Sequence, residues 1–199
     1  MELQKINVKF FAEEKAPIPL TAFIDIFHSW IQATDGIYLD VADYSHMQAG
    51  PGVVLVAHQA NVSIDQAGGR RGLLYSRKSP LEGSNEEKLR QVFRAALEHC
   101  RRLEEEPALK GDLKFRVDEV EIIINDRRIA PNTEESYAAL KVDVEQALSR
   151  IYGSPATALE RDTDARKRLS VRIKTASPAD SASLLARLEG EDKNGAVRV

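Results

Sequence analysis

Cysteine occurs once, at Cys100, in a chain of 199 residues. A single thiol excludes an internal disulfide and any zinc site built from several cysteines, and it fits a reducing compartment, so a cytoplasmic location is expected. Long apolar runs are also missing. The longest, Val53-Val54-Leu55-Val56-Ala57, is far short of the roughly 20 residues that a membrane helix needs. The start, Met1-Glu2-Leu3-Gln4-Lys5, enters a strand-like run without the basic opening and roughly 7 to 15 apolar residues of a secretory signal. Neither export by that route nor a membrane partner is expected.

Excess charge of one sign is absent too. Lys+Arg number 28 against 31 Asp+Glu, the net charge is -3 at pH 7, and the pI is near 5.9. No global field recruits nucleic acid, and a polyanion would need a local patch. What is present is an ordinary globular composition, 43% hydrophobic and 30% charged with a mean hydropathy of -0.35, which excludes collagenous and wholly disordered chains.

The hydrophobic periods outline the elements. Residues 5 to 12 alternate at Ile6, Val8 and Phe10 as a half-buried strand. Pro17 and Pro19 then open a helix whose face is Leu20, Phe23, Ile24, Phe27, Trp30 and Ile31, closed by Gly36. From 37 the period falls to two, with Ile37, Leu39 and Val41 alternating with Tyr38, Asp40 and Ala42. Further strands are predicted at 53 to 58, 61 to 65 and 72 to 77, separated by Gly50-Pro51-Gly52, Gln59-Ala60-Asn61 and Gly68-Gly69, which is the pattern of an antiparallel meander.

Ser84 with Glu87 forms a capping box ahead of a helix lined by Leu89, Val92, Phe93, Ala96, Leu97, Cys100 and Leu103, which runs to Pro107. Residues 113 to 124 read as a long strand, and Asn132 with Glu135 is expected to cap a helix ending at Gly153. A hairpin of 157 to 161 and 169 to 175 follows. The last helix is expected from Ser177-Pro178 to near Gly190, with 191–199 as a mobile tail.

Strands and helices mix without strict alternation. The expected fold class is therefore α+β: a mixed, largely antiparallel sheet with about four helices in a two-layer sandwich. One compact domain over 1–190 is expected, with a division near 79–84 as the alternative.

The unusual polar residues gather around one bend, with Asp43, Ser45, His46, Gly50, Gly52 and His58. Asp43, His46 and His58 are the candidate metal ligands or general base. They lack the His-x-x-x-His spacing that fixes two ligands on one face, and a strand rising about 3.3 Å per residue would hold the imidazoles apart unless the loop curls back. Gly50 and Gly52 bring backbone amides within reach of a ligand, but a strand rather than a helix follows, so a turn imposed by backbone geometry is the competing reading. Arg70 and Arg71, beside Gly68, Gly69 and Gly72, are candidates for bidentate capture of a small anionic ligand, with ion pairs inside the chain as the competing reading.

Arg166, Lys167, Arg168, Arg172 and Lys174 give a cationic strand face without aromatics for stacking, and Glu160, Asp162 and Asp164 neutralise it, which argues against nucleic acid. Cys100 lies on an apolar helix stripe and His99 on another face, so they form no nucleophile pair. Phe10, Phe11, Phe23, Phe27 and Trp30 read as core. No motif names a cofactor.

The expected function is a non-catalytic ligand-binding or protein-interaction module. Self-association is expected because too few helices cover the sheet and a bare apolar face would seek a partner. The alternative is a metalloprotein or enzyme using Asp43, His46 and His58.

Overall fold

A computed structural model describes residues 1–154, 157–176 and 180–195. In chain order the elements are β1 (Ile6–Glu14), α1 (Ala22–Ala33), β2 (Tyr38–Tyr44), β3 (Gly52–Ala57), β4 (Ala60–Asp65), β5 (Gly72–Arg77), α2 (Asn85–Glu104), β6 (Leu113–Ile124), α3 (Glu134–Tyr152), β7 (Ala158–Arg161), β8 (Ser170–Lys174) and α4 (Ser181–Gly195). The strands form one sheet in the order β2-β3-β4-β5-β1-β6-β8-β7, and every neighbouring pair is antiparallel. The fold is α+β, as the mixed periods indicate.

The N-terminal strand occupies the middle of the sheet. β1 pairs with β5 on one side and with β6 on the other, so the segments before and after residues 79–84 share a single sheet. Ile6, Val8 and Phe10 point into the core at 0% exposure, and Phe10 meets Phe93 of α2 edge-on at 5.9 Å. Residues from all four helices and from one face of each strand join a single apolar cluster. Period-2 strands and 3.6-period helices bury their stripes against each other, which is the two-layer solution.

Helix ends follow local chemistry. Ser84 Oγ accepts from the Glu87 amide while the Glu87 carboxylate accepts from the Ser84 amide, and Gly153 closes α3 in the left-handed conformation. Asn132 is not the cap of α3. That place belongs to Thr133, whose hydroxyl accepts from the Ser136 amide at 3.2 Å. Asn132 instead donates to the carbonyls of Asp162 and Asp164 at 2.7 and 3.0 Å, tying the β7–β8 connection to the start of α3. The expected start of the last helix, Ser177-Pro178, lies outside the described residues. Its end falls five residues later than expected, at Gly195 rather than Gly190, and of the expected tail only 196–199 lie beyond α4, outside the described residues.

One strand presents a different face from the one its apolar pattern suggests. The register of β2 against β3 shifts between Tyr38 and Asp40, so Tyr38 packs against the core while Ile37 and Leu39 stand 56% and 48% exposed. Phe11 is buried but lies outside the core cluster. It shares the opposite sheet face with Asn7 and Lys9, next to a second register shift between Phe10 and Phe11.

That opposite face is not the apolar surface on which the expectation of self-association rested. Lys9, only 2% exposed, bonds Asp65 and the carbonyls of Ala67 and Arg70. Arg70 lies over Phe11 with its guanidinium 3.7 Å from the ring centroid. No helix among the described residues is long and apolar enough to cross a membrane.

Candidate functional site

The bend singled out by sequence does not gather its polar groups. Tyr44 pairs with Gly52 and Asp43 with Val53, so β2 and β3 run together to the bend. Exposed His46 sits in the connection, and exposed Asp43 spends Oδ1 on the Ser45 amide at 2.8 Å. His58 follows the far end of β3, in the turn before β4. Six residues of strand separate the two histidines, or about 20 Å at roughly 3.3 Å per residue. Among the described residues no group of three His, Cys, Asp or Glu side chains is placed to hold a metal ion. The extended ladder keeps Asp43 and His46 from curling toward His58.

The glycines answer to backbone geometry. Gly52 has φ +64° and a Cβ there would collide with the Ile64 carbonyl oxygen. The carbonyl of Gly50 accepts from the Gln66 amide at 3.3 Å, joining the bend to the end of β4. Arg70 makes a bidentate bond to Glu119, at 2.6 and 2.9 Å. Arg71 donates to Glu14 and to the Ile18 carbonyl, both at 2.6 Å. Both guanidiniums thus serve the fold, the reading that competed with anion capture.

The cationic run is likewise paired: Arg166 with Asp164 and Lys167 with Asp162, while Arg172 lies 3.9 Å from Glu119. Cys100 is fully buried, and burial pushes its thiol well above the ordinary value. It is no nucleophile at neutral pH.

A different constellation forms where the register of β2 shifts. The Tyr38 hydroxyl and Nε2 of His99 lie 3.1 Å apart, and Nδ1 of His99 lies 2.6 Å from the Ala95 carbonyl oxygen. A carbonyl only accepts, so Nδ1 carries the proton and Nε2 receives the phenol hydrogen. The His99 ring is flanked by Tyr75 at 5.8 Å and by Trp30 and Tyr38, each at 6.2 Å between centroids. Arg102 lies 4.0 Å over the Trp30 ring and donates to the Tyr38 oxygen at 3.4 Å.

Burial lowers the pKa of His99 and raises that of Tyr38. Both groups are held neutral.

Tyr38, Tyr75 and His99 form one wall of a cleft of about 350 Å³, whose other lining residues are Gly36, Ile37, Ala57, His58, Gln59, Ala60 and Val62. None of the lining residues is Asp, Glu, Lys or Arg. Set against protein-family models, curated proteins and solved structures, the chain matches none.

Chemically, the cleft offers flat apolar walls, the exposed imidazole of His58 and the amide of Gln59 at its edge. Its volume lies at the small end of ordinary ligand sites, roughly 300 to 1,000 Å³. His58 is the one expected site residue that lines it. Tyr38, Tyr75 and His99 were not foreseen, because Tyr38 read as the wet side of its strand and His99 as an unpaired helix residue. The usable signal was the coincidence of one tryptophan, two tyrosines and two histidines near one end of the meander.

Proposed function

We propose that this chain is a non-catalytic ligand-binding module, and that the cleft beside Tyr38 and His99 takes a small, uncharged, planar molecule. One observation carries the reading: an aromatic-walled cleft whose central dyad is already satisfied by hydrogen bonds and whose lining holds no charged side chain. Apolar walls with a few placed polar groups are the usual make-up of small-molecule sites. The nearest cations, Arg102 and Arg77, are already bonded to the Tyr38 oxygen and the Gln59 side-chain oxygen, and no charged side chain lines the cleft itself, which favours neutral molecules. Binding is preferred to reaction because both nitrogens of His99 are engaged, leaving it no free lone pair to act as a base, and no serine, threonine, cysteine or carboxylate lines the cleft beside the exposed His58. A reducing compartment suits the lone buried thiol of Cys100.

The test is an amide chemical-shift titration with benzamide and, separately, benzoate. Benzamide is expected to shift the amides of Ala57, His58, Gln59 and Ala60 saturably, and benzoate to leave them in place. Absence of a saturable benzamide response, or an equal response to benzoate, overturns the proposal.

A further inference from the structure

The 28 Lys and Arg residues of the chain are unevenly spread: Lys15 and Arg70 bracket a stretch that contains none. The same stretch holds Asp25, Asp35, Asp40, Asp43 and Asp65. Asp65 is committed to Lys9, while the other four are exposed. This stretch builds α1, β2, β3 and β4, so one end of the sheet is acidic.

β2 is the outermost strand there, with β3 on one side and no strand beyond it among the described residues. Exposed edges are commonly blunted by lysine or proline, and β2, Tyr-Leu-Asp-Val-Ala-Asp-Tyr, has neither. Seven large apolar side chains are exposed among the described residues, and four of them, Ile37, Leu39, Tyr44 and Met47, lie in or beside β2.

The edge is instead covered by its own carboxylates. Oδ1 of Asp40 accepts from the Val41 amide at 2.8 Å, and Oδ1 of Asp43 accepts from the Ser45 amide at 2.8 Å. A Val41 amide bonded to a neighbouring side chain faces away from β3. A carbonyl of an added strand would take that amide and displace the Asp40 carboxylate, which then needs a cation in place of its lost donor.

We propose that the β2 edge binds an extended, otherwise apolar segment of another protein in which two lysine or arginine residues stand three positions apart, adding a ninth strand to the sheet. The register from Asp40 to Asp43 is unbroken, so these two side chains, three positions apart, point to opposite faces of the strand, and each receives one of the two cations. A second copy of this chain is disfavoured, because pairing β2 with β2 puts four aspartates on one seam with no cation between them.

The test uses two fluorescent valine-rich peptides as long as β2, one with two lysines three positions apart and one with glutamates at the same two positions. Anisotropy follows binding, and amide exchange locates it. The lysine peptide is expected to bind in a salt-sensitive way and to slow exchange at Val41 and Asp43. The D40K/D43K variant is expected to lose about tenfold in affinity for it, the upper range for two exposed ion pairs, and to gain affinity for the glutamate peptide. D40N, which keeps an oxygen for the Val41 amide but no charge, is expected to weaken the lysine peptide about threefold, the loss of one such pair. All these positions are exposed, so unchanged thermal unfolding of the variants confirms that they fold. The proposal is overturned if neither peptide binds, if both bind alike, if protection falls elsewhere, or if sedimentation without peptide finds a dimer that itself protects Val41.

Discussion

Tyr38 donates its phenol hydrogen to Nε2 of His99 across 3.1 Å, a bond joining an edge strand to the central helix over 61 positions of sequence. With Nδ1 committed to the Ala95 carbonyl, His99 is fixed as one neutral tautomer. Its protonation would break the phenol bond and place a cation beside Arg102.

This gives a pH dependence with a definite sign. Burial lowers the folded-state pKa of His99, whereas the unfolded chain binds the proton near the ordinary value of about 6.5. The unfolded state therefore holds more protons just below that value. Stability is full above about pH 6.5 and falls as the pH drops through the folded pKa. The carboxylates held low by their partners, among them Glu119 and Asp162, act only below about pH 4.5. Urea midpoints between pH 5 and 7 are expected to fall on acidification, and the H99Q variant to show a flatter profile. An unchanged slope in H99Q counts against a buried neutral imidazole.

The Lys9–Asp65 pair tests the uncovered sheet face. Its side chains are 2% and 7% exposed, so removing one partner strands a charge away from water. Lys9→Met is expected to cost about 3–5 kcal/mol in urea denaturation. The double variant K9M/D65L is expected to cost less than Lys9→Met alone, because no charge is then left unpaired. A loss under about 1 kcal/mol in the single variant, the range of an exposed pair, shows that water reaches it.

How far the chain could be read in advance follows from which interactions are local. The capping box at Ser84, the stripe of α2 and the Gly153 stop all lie within a few positions of the structure they dictate, and they appear where the periods place them. The sheet boundaries came close for the same reason. Tyr38 turns to the core against its period because it adjoins a register shift, and an irregularity of pairing leaves no mark in a period-2 pattern, whereas Phe11, out of phase with Ile6, Val8 and Phe10, is buried as expected but on the other face of the sheet. The polar bend was misleading in a related way. Nearness in sequence suggested that His46 and His58 converge, while antiparallel pairing holds them at opposite ends of β3. The His99 cleft depends on pairing partners far apart in sequence, which periodicity does not report.

Gly52 and Gly36 separate backbone strain from collision. Both have positive φ, +64° and +68°, but a Cβ at Gly36 meets nothing within 4 Å whereas one at Gly52 strikes the Ile64 carbonyl. Gly36→Ala is expected to cost about 1–2 kcal/mol, the left-handed penalty alone. Gly52→Ala is expected to cost more and to disturb the amides of the β3–β4 pair. Equal losses in thermal denaturation would mean that the Ile64 strand yields freely.

Glu119 is the hub of the charged face. Its carboxylate, 8% exposed, takes both bonds from Arg70, and Arg116 and Arg172 each approach it to 3.9 Å. Arg70→Lys removes the fork geometry and the stacking on Phe11 but keeps the charge, and because Arg70 is 37% exposed the expected loss is about 1 kcal/mol. Glu119→Gln leaves three guanidiniums facing one another without their shared anion, and the expected loss is larger, about 2–3 kcal/mol. Salt distinguishes repulsion from lost packing: screening reaches roughly 3 Å at 1 M, so high salt is expected to recover part of the stability of E119Q and none of that of Phe11→Ala. If salt leaves E119Q unrescued, the three arginines do not repel through that site, and Glu119 acts only as a hydrogen-bond acceptor for Arg70.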